Sequence, residues 1–148
     1  MTMKLDADVQ QFVYRTTVRN GRPPRAQDVA VTLGCAASEV LDAFRRLRER
    51  KLLALARESG EITMAPPFSA APTPFHVVTA AQSYFANCVW DAYGIPAALH
   101  HDARIETSCA CCGEPMRLEV HGGAPVPAKG VAHFAVPAAH WWDDIAYT

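Results

Sequence analysis

Two groups of residues in this 148-residue chain have types and spacings suited to chemistry. The first is Asn87-Cys88-Val89-Trp90-Asp91, where a thiol and a carboxyl group stand three residues apart in the largely apolar run from Ser83 to Pro96. Helical spacing puts two such side chains on one face. A thiolate is a soft ligand for ions such as Hg(II), Cu(I) or Zn(II), and a carboxyl group in an apolar setting can be held protonated and act as a general acid. The pair therefore suits acid-assisted cleavage at a thiol-bound metal. The same residues also fit a plainer arrangement, a packed cysteine beside an aspartate that serves a helix end.

The second group, Cys109-Ala110-Cys111-Cys112-Gly113-Glu114-Pro115, carries the Cys-x-x-Cys-Gly spacing of half a zinc knuckle. A structural zinc site takes four ligands, but there is no second Cys-x-x-Cys, and no fixed spacing recruits His100, His101 or His121. Structural zinc is therefore not expected. A buried Cys109 beside more exposed Cys111 and Cys112 is the simpler expectation, and Cys35, which follows Gly34 in a helix turn, reads as packing.

The elements around these residues follow from periodicity. Phe75-His76-Val77-Val78 reads as a short strand or an extended lead-in, and Ala80 to Tyr93 as a helix ended by Gly94 and Pro96. Residues 104–109 and 116–120 alternate as half-buried strands do, and the link at 110–115 predicts an antiparallel hairpin closed by His121-Gly122-Gly123. Ala132 to Pro137 offers another short strand. The last segment, from Ala138 to Thr148, contains Trp141 and Trp142, which are too costly to leave in water, so it is expected to pack on the core.

The front of the chain reads differently. Val9, Phe12, Val13 and Thr16 share one side of a first helix over residues 6–18, and Ala26 to Leu33 forms a second, closed by Gly34. Ser38 is the expected N-cap of a third helix, Glu39 to Lys51, with Val40, Leu41, Phe44, Leu47 and Leu52 as its apolar stripe. Segments 53–57 and 61–65 flank Glu58-Ser59-Gly60 as a hairpin. Three helices and a hairpin predict a winged-helix-like domain over residues 1–65. Arg45, Arg46, Arg48, Arg50 and Lys51 on the third helix invite a DNA-binding reading. Asp42 and Glu49 interrupt that basic face, and the hairpin tip carries acids where phosphate would lie, so DNA is not expected as a partner. Four prolines within residues 66–74 predict a stiff, extended linker, leaving 75–148 as a second domain.

Charge and cysteine use agree with two dissimilar halves. Residues 1–57 carry eleven Lys and Arg against six Asp and Glu, and the remainder three against nine. All six histidines and four of the five cysteines lie from residue 76 onward. An odd number of thiols, three of them crowded into four positions, suits a reducing compartment better than a disulfide framework. Residues 1–8 have no signal-peptide pattern and no run approaches a membrane span, which predicts a cytoplasmic protein without a membrane partner.

The order Cys88-x-x-Asp91, an Ile-Pro-Ala segment, then Arg104-Ile-Glu-Thr-Ser-Cys109 leading through a Gly-containing turn to a strand, resembles the organomercurial (alkylmercury) lyases from about Phe75 onward. The resemblance implies an α+β fold in which a winged-helix-like three-helix domain precedes a small helix plus antiparallel-strand catalytic domain. It implies an enzyme that cleaves carbon–mercury bonds by protonolysis, giving Hg(II) and a hydrocarbon. Cys88 matches the cysteine that binds mercury as thiolate, Asp91 the aspartate that moves protons and contacts the metal, and Cys109 a buried structural cysteine. No cofactor is implied: mercury is substrate and product, and free thiols support turnover. The implied partners are an organomercurial small molecule, low-molecular-weight thiols, and mercuric reductase as acceptor of Hg(II). The family's second catalytic cysteine is expected just beyond Thr148, so impaired activity through truncation by a stop, a frameshift or a UGA selenocysteine codon is a further expectation, with Cys111 and Cys112 as candidate accessory thiols. The alternative from another class is a winged-helix transcriptional regulator whose cysteine-rich second domain senses a metal.

Overall fold

A computed structural model describes residues 2–145. The chain divides into two compact units, Met1–Ala71 and Pro72–Thr148.

The first unit is built on three helices, α1 (Thr2–Asn20), α2 (Ala26–Leu33) and α3 (Ala37–Glu49), followed by strands β1 (Ala54–Leu55), β2 (Ile62–Ala65) and β3 (Phe68–Ser69). The helical stripes read from the sequence are the core: Val9, Val13, Val29, Val40, Phe44 and Leu47 are buried together with Leu53 and Ile62. Gly34 ends α2 in the left-handed conformation at φ +67°, where a side chain would be strained, and Cys35 donates its amide back to Ala30 at 3.1 Å. α3 begins earlier than Ser38 predicts. Its N-cap is Ala36, whose amide donates to the Glu39 carboxylate at 2.9 Å, so an acid three residues on holds the N-cap backbone, and no hydroxyl caps the helix as expected of Ser38.

Charged groups of this unit bind one another. Arg46 on α3 donates from Nε and a terminal nitrogen to the buried carboxylate of Asp6 on α1, with contacts of 2.7–3.1 Å. Arg45 pairs with Asp42. Glu61, beside the hairpin tip, accepts the Ala26 amide at 3.0 Å and so satisfies the start of α2. Two arginines of the expected basic face thus already hold carboxylates. The proline-rich stretch is not uniformly extended: Pro66-Pro67 is a turn with a cis peptide, and Phe68–Ser69 folds back to pair with β2 at Met64 and Ala65.

In the second unit, β4 (Phe75–Thr79) lies between β5 (Ser83–Ala86) and β6 (Ala103–Ser108); β7 (Pro115–His121) and β8 (Ala124–Pro125) continue outward from β6, every pairing antiparallel. Helix α4 (Val89–Leu99) follows β5 and packs on β4 and β5. The register places Tyr84, Val77, Ile105 and Leu118 opposite one another in a single row across four strands, all buried. Ala92, Ile95 and Pro96 form the buried side of α4.

Three expectations change here. Residues 83–86 are a strand and not part of a helix, because Phe75 to Val78 pairs with them through a tight turn in which the Thr79 hydroxyl donates to the Gln82 carbonyl at 2.8 Å. Gly94 and Pro96 do not end the helix. α4 runs through both and stops at His100, since burial of Pro96 under the helix outweighs the one backbone hydrogen bond that proline cannot make. Residues 132–137 form no strand; Val131 is 93% exposed, and that segment has no neighbouring strand to pair with among the described residues. Beyond it Ala138–His140 makes one 3-10 turn, and Trp141 and Trp142 are half-buried. The final Ala146-Tyr147-Thr148 of the expected packed end lies outside the described residues. No helix among the described residues is long and apolar enough to cross a membrane.

Candidate functional site

Cys88 and Asp91 meet where β5 gives way to α4. The buried Ala86 fixes the end of the strand, and its carbonyl accepts a hydrogen bond from the Thr73 hydroxyl. Cys88 then takes an extended conformation at φ −150° as the N-cap of α4, and its carbonyl receives the first helical hydrogen bond from Ala92 at 2.9 Å. Asp91 is the third residue of the helix. The sequence spacing predicts a shared helix face; the structure instead pairs an N-cap with the N3 position, a spacing at which side chains also reach each other. Asn87 Nδ2 donates to Asp91 Oδ2 at 3.1 Å, adding a third residue that the Cys-x-x-Asp pattern alone did not identify. Its signal was an amide side chain four residues before a helical acid.

The electrostatics of the pair run in two directions. Burial pushes the Asp91 carboxyl above the usual carboxylate range, against the Asn87 amide and the Cys88 thiol, which hydrogen-bond to its charged form. Burial also pushes the Cys88 thiol up, and the Asp91 charge adds to this, while the amides of Asp91 and Trp90 favour the thiolate. Proton and negative charge therefore stand side by side in the partly buried N-terminus of α4, where an anion is favoured. An arriving soft cation would displace the thiol proton, and the carboxyl beside it can receive or return one.

Aromatic rings gather next to Trp90, which lies between Cys88 and Asp91 in sequence. Trp90 is 64% exposed and meets Trp141 edge to face, with centroids 6.2 Å apart, and Phe134 lies 5.3 Å from Trp141. The Trp141 indole donates to the Val136 carbonyl at 2.8 Å, which anchors the segment after β8. The expected packing of this end thus takes the form of contact between rings and not of deep burial.

Cys109, Cys111 and Cys112 sit at the β6–β7 hairpin. Cys109 is half-exposed and not buried as expected, because it lies one residue past β6, where the chain has already turned outward. Its pKa is lowered by the amides of Cys112 and Cys111 and by the Cys112 thiol. Cys111 and Cys112 are exposed. Among the described residues no three His, Cys, Asp or Glu side chains converge to hold a metal, so none of these thiols joins Cys88 and Asp91 as a third ligand. His121 is engaged by Asp102 and Glu119, each 3.3 Å away. Cys35 packs against the core of the first unit, and a cavity of about 750 Å³ there, lined by Arg19, Arg22, Arg25 and Glu61 among others, contains no thiol.

Fold and site together define a protein with an antiparallel sheet, one covering helix, and a thiol–acid pair at the strand-to-helix junction. A sequence model of the alkylmercury lyases matches residues 68–148, and the chain belongs to that family. It is 27% identical over 120 residues to the alkylmercury lyases of Bacillus cereus and of Clostridium butyricum, matches that cover 79% of this chain and 53% of each relative. The chain thus spans about half the length of these curated relatives. A crystal structure of the mercury-bound form of MerB2 shares the fold, with a TM-score of 0.61 and 20% identity, over 86% of this chain and 65% of that one.

Proposed function

We propose that this chain carries the carbon–mercury cleaving chemistry of its family, with Cys88 as the thiolate that takes up the mercury of an organomercurial and Asp91 as the group that moves the proton. The observation that carries this reading is the Cys88–Asp91–Asn87 cluster within the stretch that matches the family. In the first step the thiol proton leaves as the sulfur–mercury bond forms, and Asp91 can receive it. In the second, the carbon–mercury bond breaks, its electron pair takes the proton from Asp91, and the products are a hydrocarbon and thiolate-bound Hg(II). Burial that raises the carboxyl pKa makes Asp91 a better holder of that proton near neutral pH. A low-molecular-weight thiol supplies a second sulfur to the mercury and carries turnover, and mercuric reductase is the proposed acceptor of Hg(II) in the cytoplasm. Residues 1–65 serve as a winged-helix-like accessory domain, and Cys109 stands outside the reaction at Cys88 and Asp91.

The test is to incubate the purified chain with phenylmercury in excess thiol and measure benzene and Hg(II) in equal amounts. Cys88→Ser and Asp91→Ala are each expected to reduce the rate at least about 100-fold, the scale of a lost general acid or nucleophile. Benzene release that persists unchanged in both variants sinks the assignment.

A further inference from the structure

The hairpin between β6 and β7 holds a second pair of thiols in a defined geometry. The Cys109 amide donates to the Glu114 carbonyl at 2.8 Å, and the Gly113 amide returns to the Cys109 carbonyl, also at 2.8 Å. Gly113 has φ +73°, a left-handed position that glycine adopts without strain, so the chain reverses tightly just after Cys112. Cys109 and Cys112 stand three residues apart around that turn, a spacing that brings two side chains to one side, and the Cys109 thiolate is favoured by the amides of Cys112 and Cys111 and by the Cys112 thiol. Cys111 and Cys112 are open to solvent and Cys109 is half-exposed.

We propose that Cys109 and Cys112 together capture one soft d10 cation as a bis-thiolate, at a site separate from Cys88 and Asp91. Binding of a dication forms two sulfur–metal bonds and releases the two thiol protons to solvent, so charge and atoms balance without any redox partner. The donor set selects the ion. A zinc site would call for four ligands, and among the described residues no third His, Cys, Asp or Glu converges on the pair. A soft cation content with two thiolates, such as Hg(II), is the class that fits. Two thiols on one turn hold such an ion against free monothiols, because the second bond forms intramolecularly. Cys111 lies outside the pair: its amide, and not its thiol, acts on Cys109.

The test uses the full chain carrying Cys88→Ser, reduced, loaded with inorganic Hg(II), challenged with excess glutathione and weighed by native mass spectrometry. One mercury per chain is expected to remain. Adding Cys112→Ser is expected to remove it, and adding Cys111→Ser to leave it in place. A second measurement uses the unaltered chain, so that a variant that fails to fold does not decide the matter: Hg(II) is expected to protect Cys109 and Cys112 from iodoacetamide while Cys111 is alkylated. Loss of all mercury from Cys88→Ser under glutathione overturns the proposal. So does mercury retained when Cys112→Ser is added, or protection that falls on Cys111 and leaves Cys112 reactive.

Discussion

Asn87 donates its side-chain amide to Asp91 Oδ2 at 3.1 Å, from the last residue before the N-cap to the third residue of α4. That bond favours the charged carboxylate, whereas burial of the same carboxyl favours the neutral acid. Asn87→Ala removes the opposing influence, so the Asp91 pKa is expected to rise further. Carboxyl-carbon NMR of labelled protein reads this directly; a pKa that stays or falls in the variant would mean that Asn87 does not hold the carboxylate.

The two kinds of thiol differ in the direction of their shifts, and alkylation can compare them in one sample. Burial raises the pKa of Cys88, whereas amides lower that of Cys109. Iodoacetamide reacts with the thiolate, so the pH midpoint of alkylation, read peptide by peptide, is expected to lie higher for Cys88 than for Cys109. Asp91→Asn removes a nearby negative charge and an acceptor for the thiol proton, and should move the Cys88 midpoint down. Coincident midpoints for the two cysteines, or no change in Asp91→Asn, would contradict the described electrostatics.

Asp91 also ties stability to pH. Its folded pKa is raised above the unfolded value, so what the group contributes is fully present below the unfolded pKa and is lost as pH rises through the folded pKa. Near neutral pH the native state therefore bears the cost of a buried charge. Asp91→Asn is expected to match the parent protein in acid and to melt at a higher temperature at neutral pH, even though it removes the proposed proton carrier. Melting curves across pH check this, and a variant that is less stable at neutral pH than in acid, relative to the parent, refutes it.

The buried ion pair between α1 and α3 lends itself to a magnitude. The Asp6 side chain is 9% exposed and that of Arg46 34%. Asp6→Ala strands a guanidinium that can still reach water, so the loss should fall below that for a fully buried pair, at about 1–3 kcal/mol. Denaturant unfolding measures it, and a change under half a kilocalorie would place the pair with ordinary surface contacts.

How much of this was legible in the sequence depends on whether the deciding contacts are local. Val9 and Val13, the Gly34 stop, and the alternation over 104–109 and 116–120 carry their own signals, and the elements formed there within one or two residues for the strands, while the first helix, read over 6–18, runs from Thr2 to Asn20. Ser83 to Ala86 carries no such signal: its strand state is imposed by pairing with residues 75–78, and a window of mixed aromatic and small residues reads equally well as helix. Pro96 misled for the opposite reason, since a strong local stop was overridden by burial against the sheet. Cys88 and Asp91 could be picked out by the chemistry of their types, whereas Asn87 offered only its four-residue spacing from Asp91, a signal too common among amides to single it out. Cys109 was read as buried because cysteines usually are, and the turn that exposes it depends on backbone bonds to Gly113 and Glu114.

The thiol–acid pair depends on a row of side chains that makes no chemistry of its own. Ile105 is fully buried between Val77 and Leu118 in the sheet register, and α4 packs on the adjoining strands β4 and β5. Ile105→Ala should therefore cost about 2–5 kcal/mol, the range for deleting a large aliphatic from a core that cannot fully collapse. Because α4 loses support at its seat, the N-cap should also loosen, and the alkylation midpoint of Cys88 should drift down toward that of an ordinary thiol. Cys109, held by its own turn, should keep its midpoint. A variant that loses the expected stability yet leaves Cys88 unchanged would show that the strand-to-helix junction holds the pair without help from the sheet beneath it.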